Sequence, residues 1–334
     1  MKARKSSRAV VAWVLALSLV THAHDSLAYV RSYTLEGCHP VFWNLRCVHI
    51  TTDSDGVRDL PLSDVENIVR TSINSWMTLT KGSSFLELTY LPANGKRETV
   101  ATDKLQVIKF RSTTWGRAAT DKNPAVMYDP AAAAITTVTY INKPTDATAD
   151  GRIVDADIEL NAVNNYFYNV EPSANPVTGS RKPTDLWNTL THELGHLMGL
   201  EHTCKRSGDS MPACTRDGTG GTVISCGVVE AGRQTNQAYQ TIYDTTMYPT
   251  ADPKEIKKRQ PKADDVSGVV NTYPSAMNPN TCTVPDAYSA GQATGCSMNS
   301  PGNPPTGRQP GALAGIGALA TLALLVRRRR QRVS

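Results

Sequence analysis

His192 and His196 stand four residues apart with Glu193 beside the first of them, and this spacing constrains the fold more than any other feature of the chain. On an α-helix the two imidazoles project from one face about 40° apart, so both can reach a single metal ion. Glu193 lies next to that face, close enough to meet a water there without being a ligand. His202 completes the pattern. Continuing the helix would carry it about 600° beyond His196, onto another face. The chain must therefore turn, and Gly199 is the residue that can end the helix by taking positive φ. Three histidines leave the fourth tetrahedral position open, as a catalytic zinc site requires and a structural one does not. With this chain's own frequencies of His, Glu and Gly, the five residues meet this spacing by chance on the order of once in 10⁵ such chains. His39 and His49 are read as ordinary residues of the first strand region.

Both ends of the chain are topogenic. Lys2, Arg4, Lys5 and Arg8 precede an apolar run from Ala9 to Val20, and Ser26-Leu27-Ala28 follows, the order of an export signal cut before Tyr29. Residues 1–28 are thus read as a signal peptide. At the other end Gly311 to Val326 is apolar or small except for Thr321 and stops at four consecutive arginines from Arg327. This reads as a short membrane span, 311–326, with a basic cytoplasmic tail, 327–334. Nine of the 35 basic residues fall in these two segments against one of the 30 acidic residues, so the formal charge of +5 belongs to the ends. The exported body is near neutral, and nucleic-acid binding loses its support.

Seven cysteines in an exported chain imply disulfides with one left over. Cys38 and Cys47 bracket a short hairpin-like stretch and are expected to pair. Cys204, Cys214, Cys226 and Cys282 would form two more bridges of open connectivity. Cys296 is then the spare.

Ser63 and Glu66 form a capping-box pattern ahead of Val65, Ile68, Val69, Ile73, Trp76 and Met77, which recur at helical spacing. Phe85 to Tyr90, Leu105 to Phe110, Ile135 to Ile141 and Ile153 to Leu160 are β-branched and aromatic runs bounded by turn residues, and they predict strands. A polar loop follows Asn161. Thr184-Asp185 opens a second helix reaching about Gly199, which carries the zinc motif. Residues 204–243 lack periodicity and read as a disulfide-tied loop insertion, and Ala263 to Tyr273 predicts a third helix. A Pro- and Gly-rich linker, 277–310, contains Cys296. The body between signal and linker, 29–276, is one catalytic domain.

The run from His192 to His202 resembles the signature of the metzincin clan, which a methionine-containing turn completes, here Thr245-Thr246-Met247-Tyr248-Pro249. The form Met-Tyr-Pro is similar to the matrixin branch, and Pro249 stands where related branches carry a ligating tyrosine. Asp264-Asp265 and the helix to Tyr273 resemble the matrixin C-terminal helix, whose paired aspartates brace the site floor. The resemblance implies an α+β fold: a twisted mixed sheet of about five strands with three main helices and the zinc site on the second. It also implies a structural role for Met247, a substrate-pocket wall from Tyr248, Pro249 and Thr250, and an edge strand that holds substrate extended. The long stretch from His202 to Met247 departs from the matrixin pattern, so substrate preference is not carried over. No cysteine-switch prodomain is evident. Gly295-Cys296, the span and the arginines resemble a MYXO-CTERM sorting signal, in which the cysteine marks the processing site.

These readings converge on an exported zinc endopeptidase, displayed at the surface or released. Glu193 is its general base, its partners are protein or peptide substrates and, before processing, a membrane, and it is expected to be a monomer. The reading from another class is a surface binding or adhesion module with a non-catalytic zinc site. A processing enzyme with one dedicated protein target differs from the endopeptidase only in specificity. Asp146, Asp150, Asp155 and Asp157 are a candidate calcium set, although turn chemistry favours solvated aspartates.

Overall fold

The computed structural model describes residues 29–283, apart from 96, 97, 99, 120–123 and 172–175, together with the backbone of 326–333. The export signal, Cys296 and the apolar run up to 325 lie outside the described residues. Among those described, no helix is long and apolar enough to cross a membrane.

Five strands build one mixed sheet: β1 (Cys47–Thr52), β2 (Glu87–Leu91), β3 (Gln106–Arg111), β4 (Ala134–Ile141) and β5 (Ile153–Asn161). Their order is β2-β1-β3-β5-β4. The first four in that order run parallel, and β4 is antiparallel to β5. The segment Val326–Val333, β6, adds antiparallel to the outer edge of β4 with Gln331 opposite Thr136. Four of the five strands coincide within two residues at either end with the runs predicted from sequence. His49 lies in β1, as expected, whereas His39 precedes it and sits 2.9 Å from the buried Asp150.

Alternation along β5 decides which layer each side chain joins. Ala156, Ile158 and Leu160 face the helices and the main core, while Asp155, Asp157 and Glu159 face the opposite side. Loops crossing that outer face bury the acids. Asp155 accepts the Lys104 N–H at 2.9 Å, and Asp157 accepts those of Ala101 and Val107 at 3.1 and 3.0 Å. Glu159 accepts the side chains of Arg111 and Arg117. Burial, reinforced by neighbouring Asp155, holds the Asp157 carboxyl well above the usual carboxylate range. The expectation of solvated aspartates is therefore corrected at Asp150, Asp155 and Asp157, all buried, because main-chain N–H groups take the place of water. Asp150 accepts the Lys143 N–H, and half-buried Asp146 binds its own turn at Thr148. The four do not converge on one ion: among the described residues only His192, His196 and His202 form a metal-holding group.

Helix α1 (Leu62–Thr80) lays Val65, Ile68, Val69, Ile73 and Trp76 on the core. The capping box at its start is not formed. Pro61 is the N-cap, and the Glu66 carboxylate turns instead to the Tyr90 hydroxyl and the Ala93 N–H, both at 2.9 Å. Helix α2 (Leu186–Leu197) crosses under α1, and all its residues but Trp187 are buried. Trp76 donates its indole N–H to Thr191 O and Trp43 donates to Leu197 O, both at 2.8 Å, locking α2 between two tryptophans.

The supposed loop insertion contains two short helices, α3 (Cys226–Gly232) and α4 (Gln237–Asp244), which cover a small core around Val229, Ile242 and Tyr248. Helices this short carry too few turns for periodicity to register. Helix α5 (Ala263–Thr272) closes the domain. The polar loop after Asn161 also holds order, a parallel pairing of Asn165–Tyr168 with Lys182–Asp185.

All six described cysteines are paired: Cys38–Cys214, Cys47–Cys282 and Cys204–Cys226. The expected Cys38–Cys47 bridge is replaced because Cys47 starts β1 inside the sheet, whereas Cys38 lies in the preceding turn facing the insertion. The pairing leaves Cys38 with no free thiolate for a metal.

Candidate metal centre

Asp185 caps α2 by accepting the Asn188 N–H at 2.6 Å, and Arg259 fixes that carboxylate from outside at 2.6 Å. The helix that follows places His192, Glu193 and His196 in the protein interior. Its end is set by Gly199, whose φ is +86°, with its N–H bonded to His196 O. A Cβ there would strike the Val41 carbonyl, so both the left-handed backbone and the close approach require glycine. The chain turns, pairs Leu200 and Glu201 with Arg31 and Val30, and brings His202 back to the other two histidines.

The three imidazoles converge through Nε2. His192 and His196 have these atoms 3.1 Å apart, and His196 and His202 have them 3.2 Å apart. The other ring nitrogens are committed: His192 Nδ1 donates to Thr246 O at 2.5 Å and His196 Nδ1 donates to Leu200 O at 2.8 Å. With those protons on Nδ1, the Nε2 lone pairs of His192 and His196 face each other and repel unless a cation sits between them. Tetrahedral zinc with nitrogen ligands at about 2.0–2.1 Å separates them by roughly 3.3 Å, close to the observed spacing. The residues present therefore fit zinc.

The methionine turn works from beneath. Asp265 accepts the N–H groups of Thr246 at 2.8 Å, Met247 at 3.2 Å and Lys262 at 2.9 Å. This aspartate fixes Thr246, whose carbonyl fixes His192, as the orientation of a metal-binding imidazole requires. Met247 is fully buried, and its sulfur fills the space where a Cβ on Gly195 would stand. Tyr248 packs in the small core beneath α3 and α4. Its hydroxyl donates to Glu230 at 2.9 Å and its ring packs on Tyr243. Pro249 is buried and Thr250 half-buried. A cavity open to solvent adjoins His192, and its wall comes from the next residues along, Ala251, Asp252, Glu255 and Lys258, with Ala133 and Lys182 also lining it.

Glu193 is fully buried. Its Oε2 accepts the Thr136 hydroxyl at 2.6 Å, and its Oε1 has no partner. Burial pushes this carboxyl up to about 8, against the pull of the Thr136 hydrogen bond and the Lys258 charge. Lys258 is a participant that sequence inspection missed. It is buried, its Nζ donates to Tyr248 O, its N–H bonds Asn188 Oδ1 at 2.7 Å, and burial brings its ammonium down to about 7. Nothing in Lys257-Lys258-Arg259 distinguishes the middle residue as the buried one.

Residues 111–258 match Reprolysin_5, metallo-peptidase family M12. No curated protein matches the chain. The matched segment contains β4, β5, α2, the three histidines and the methionine turn, so the metallopeptidase likeness and the converging imidazoles coincide residue by residue. Together they imply a zinc ion on His192, His196 and His202.

A pH prediction follows for this histidine site. Burial holds His192 and His202 well below 6.5, helped at His192 by the Lys258 charge and at His202 by His196. Because the folded values are depressed, the neutral ligand form persists at pH values where ordinary imidazoles are protonated, and protons compete poorly with metal. Three ordinary imidazoles would weaken zinc binding roughly fifty-fold between about pH 7.5 and 6. Here equilibrium dialysis should show less than about a fivefold loss, and a fifty-fold loss would contradict the buried, neutral site.

Proposed function

We propose that this chain is an exported zinc endopeptidase in which Glu193 serves as general base. The observation that carries the reading is the convergence of three Nε2 atoms beside a buried glutamate with one unpartnered oxygen. Zinc on the three histidines supplies Lewis acidity, lowering the pKa of a water and polarising the scissile carbonyl. Thr136 holds Glu193 Oε2, which leaves Oε1 to take the proton of the attacking water. Burial makes the carboxyl basic enough to accept that proton near neutral pH and to deliver it to the leaving amine. Strand β4 carries Thr136 at the sheet edge, and an extended substrate pairs along it through main-chain hydrogen bonds.

The finer placement, in the matrixin branch, rests on Met247-Tyr248-Pro249 and on the α5 aspartate that braces the turn. Residues 1–28 direct export. Cys296, the apolar run and the arginine cluster form a MYXO-CTERM-type tail that anchors the protein at the surface and is then trimmed. Trimming also frees the β4 edge, along which Val326–Val333 lie in the full chain.

Incubation with casein and a mixed peptide library, with and without 1,10-phenanthroline, tests the reading. Chelator-sensitive cleavage supports it. Stoichiometric zinc without cleavage favours the adhesion module.

A further inference from the structure

The cavity beside His192 has a direction relative to the cut. A chain pairing antiparallel with β4, as Val326–Val333 do, runs past Thr136 and next reaches Ala134 and Ala133. Thr136 holds Glu193, so the bond to be cut lies there, and Ala133 lines the cavity. The cavity therefore lies on the side of the cut that takes the residues following the scissile bond, and with His192 in its lining it opens beside the first of them.

Its polar lining is unevenly satisfied. Lys182 Nζ donates to Ala251 O at 2.9 Å, and Lys258 Nζ donates to Tyr248 O. Glu255 is different. Its side chain is 9% exposed, and Oε2 receives the Asp252 N–H at 3.3 Å with Lys257 Nζ at 3.7 Å. Oε1 is buried and has no hydrogen-bond partner. A buried carboxylate oxygen without a donor costs about 1–3 kcal/mol or more, and water satisfies it poorly in a narrow site. Asp252 stands on the same wall. The two lining lysines are thus held on main-chain carbonyls, and the buried atom left without a hydrogen-bond partner is an acceptor, Glu255 Oε1.

We propose that this cavity selects substrates carrying lysine or arginine immediately after the scissile bond, with Glu255 as the specificity-determining residue. The inference rests on the peptidase reading. A guest ammonium or guanidinium donates to Glu255 Oε1 and is attracted by Asp252, in a charge-assisted hydrogen bond. A guest carboxylate would meet Glu255 and Asp252 while Lys182 and Lys258 stay engaged with main-chain carbonyls, and an aliphatic guest would leave Oε1 unpaired. Sites built to hydrogen-bond a guest discriminate strongly against guests that lack the matching group.

The test uses one peptide series with Arg, Lys, Leu or Glu after the cut. Cleavage by the zinc-loaded protein is compared with that by Glu255→Gln, and binding to the inactive Glu193→Gln protein is measured by fluorescence anisotropy. The Arg and Lys peptides should exceed the Glu peptide in kcat/KM by at least about tenfold. Glu255→Gln should remove most of that preference and leave the Leu peptide within about twofold. Preference for Leu or Glu in the wild-type protein, or an equal loss on every peptide in Glu255→Gln, would overturn the proposal. If no peptide is cut, the peptidase reading fails by itself. The binding series then decides the cavity: tighter Arg than Glu peptide upholds its charge selectivity, and equal binding refutes it.

Discussion

Glu193→Gln should retain one zinc per chain and lose about 10²–10⁴-fold in kcat on any peptide that the wild-type protein cuts, with KM little changed. The amide keeps the size of the carboxylate and can still accept from the Thr136 hydroxyl, now at 2.6 Å, so the fold and the three imidazoles have no reason to move. What it cannot do is take a proton. Metal analysis and kinetics on the same preparation separate the two effects. A variant that loses its zinc would show that Glu193 holds the site together, and a variant within about threefold of wild-type turnover would remove it from proton transfer altogether.

Asp265→Ala should be the most destabilising single change near the site. It strips the acceptor from the N–H groups of Thr246, Met247 and Lys262 in a place that water does not reach. Each orphaned donor costs about 1–3 kcal/mol, so the sum is a large share of the ordinary stability of a domain. The damage should also reach the metal. Thr246 O would no longer be held against His192 Nδ1, and loss of such a support lowers metal affinity by about 10–100-fold. Denaturant unfolding and zinc competition measure both. Asp265→Asn keeps one acceptor oxygen and should fall between the two proteins. An alanine variant within about 1 kcal/mol of wild type with unchanged zinc affinity would show that the turn stands without the aspartate.

The metal ligands were legible in the sequence because their geometry is local. Four residues on a helix set the angle between His192 and His196, and one glycine sets the turn that returns His202. Met247 was legible by resemblance, and its packing against Gly195 explains why a residue without a Cβ stands inside the motif. The β-branched runs became strands because alternation is also local. What escaped was decided by segments meeting across long separations. Cys38 finds Cys214 and Cys47 finds Cys282, at separations of 176 and 235 residues, where hairpin-like spacing suggested a bridge between neighbours. Asp155 and Asp157 fall in a run that reads as a strand, yet they were expected to be solvated, and it is the distant segment from Ala101 to Val107 that buries them. Lys258 and Glu255 carry no motif at all. Their importance comes from the wall that the chain forms after the methionine turn, beyond the Tyr248 to Thr250 stretch that resemblance pointed to.

The most direct test of the account is a zinc titration of the metal-free protein, followed by hydrolysis of a peptide substrate. Activity should rise linearly to one equivalent of zinc, stop rising there, and vanish again with 1,10-phenanthroline. Full occupancy of the histidine site at one equivalent, with no peptide bond cut across the library, would contradict it.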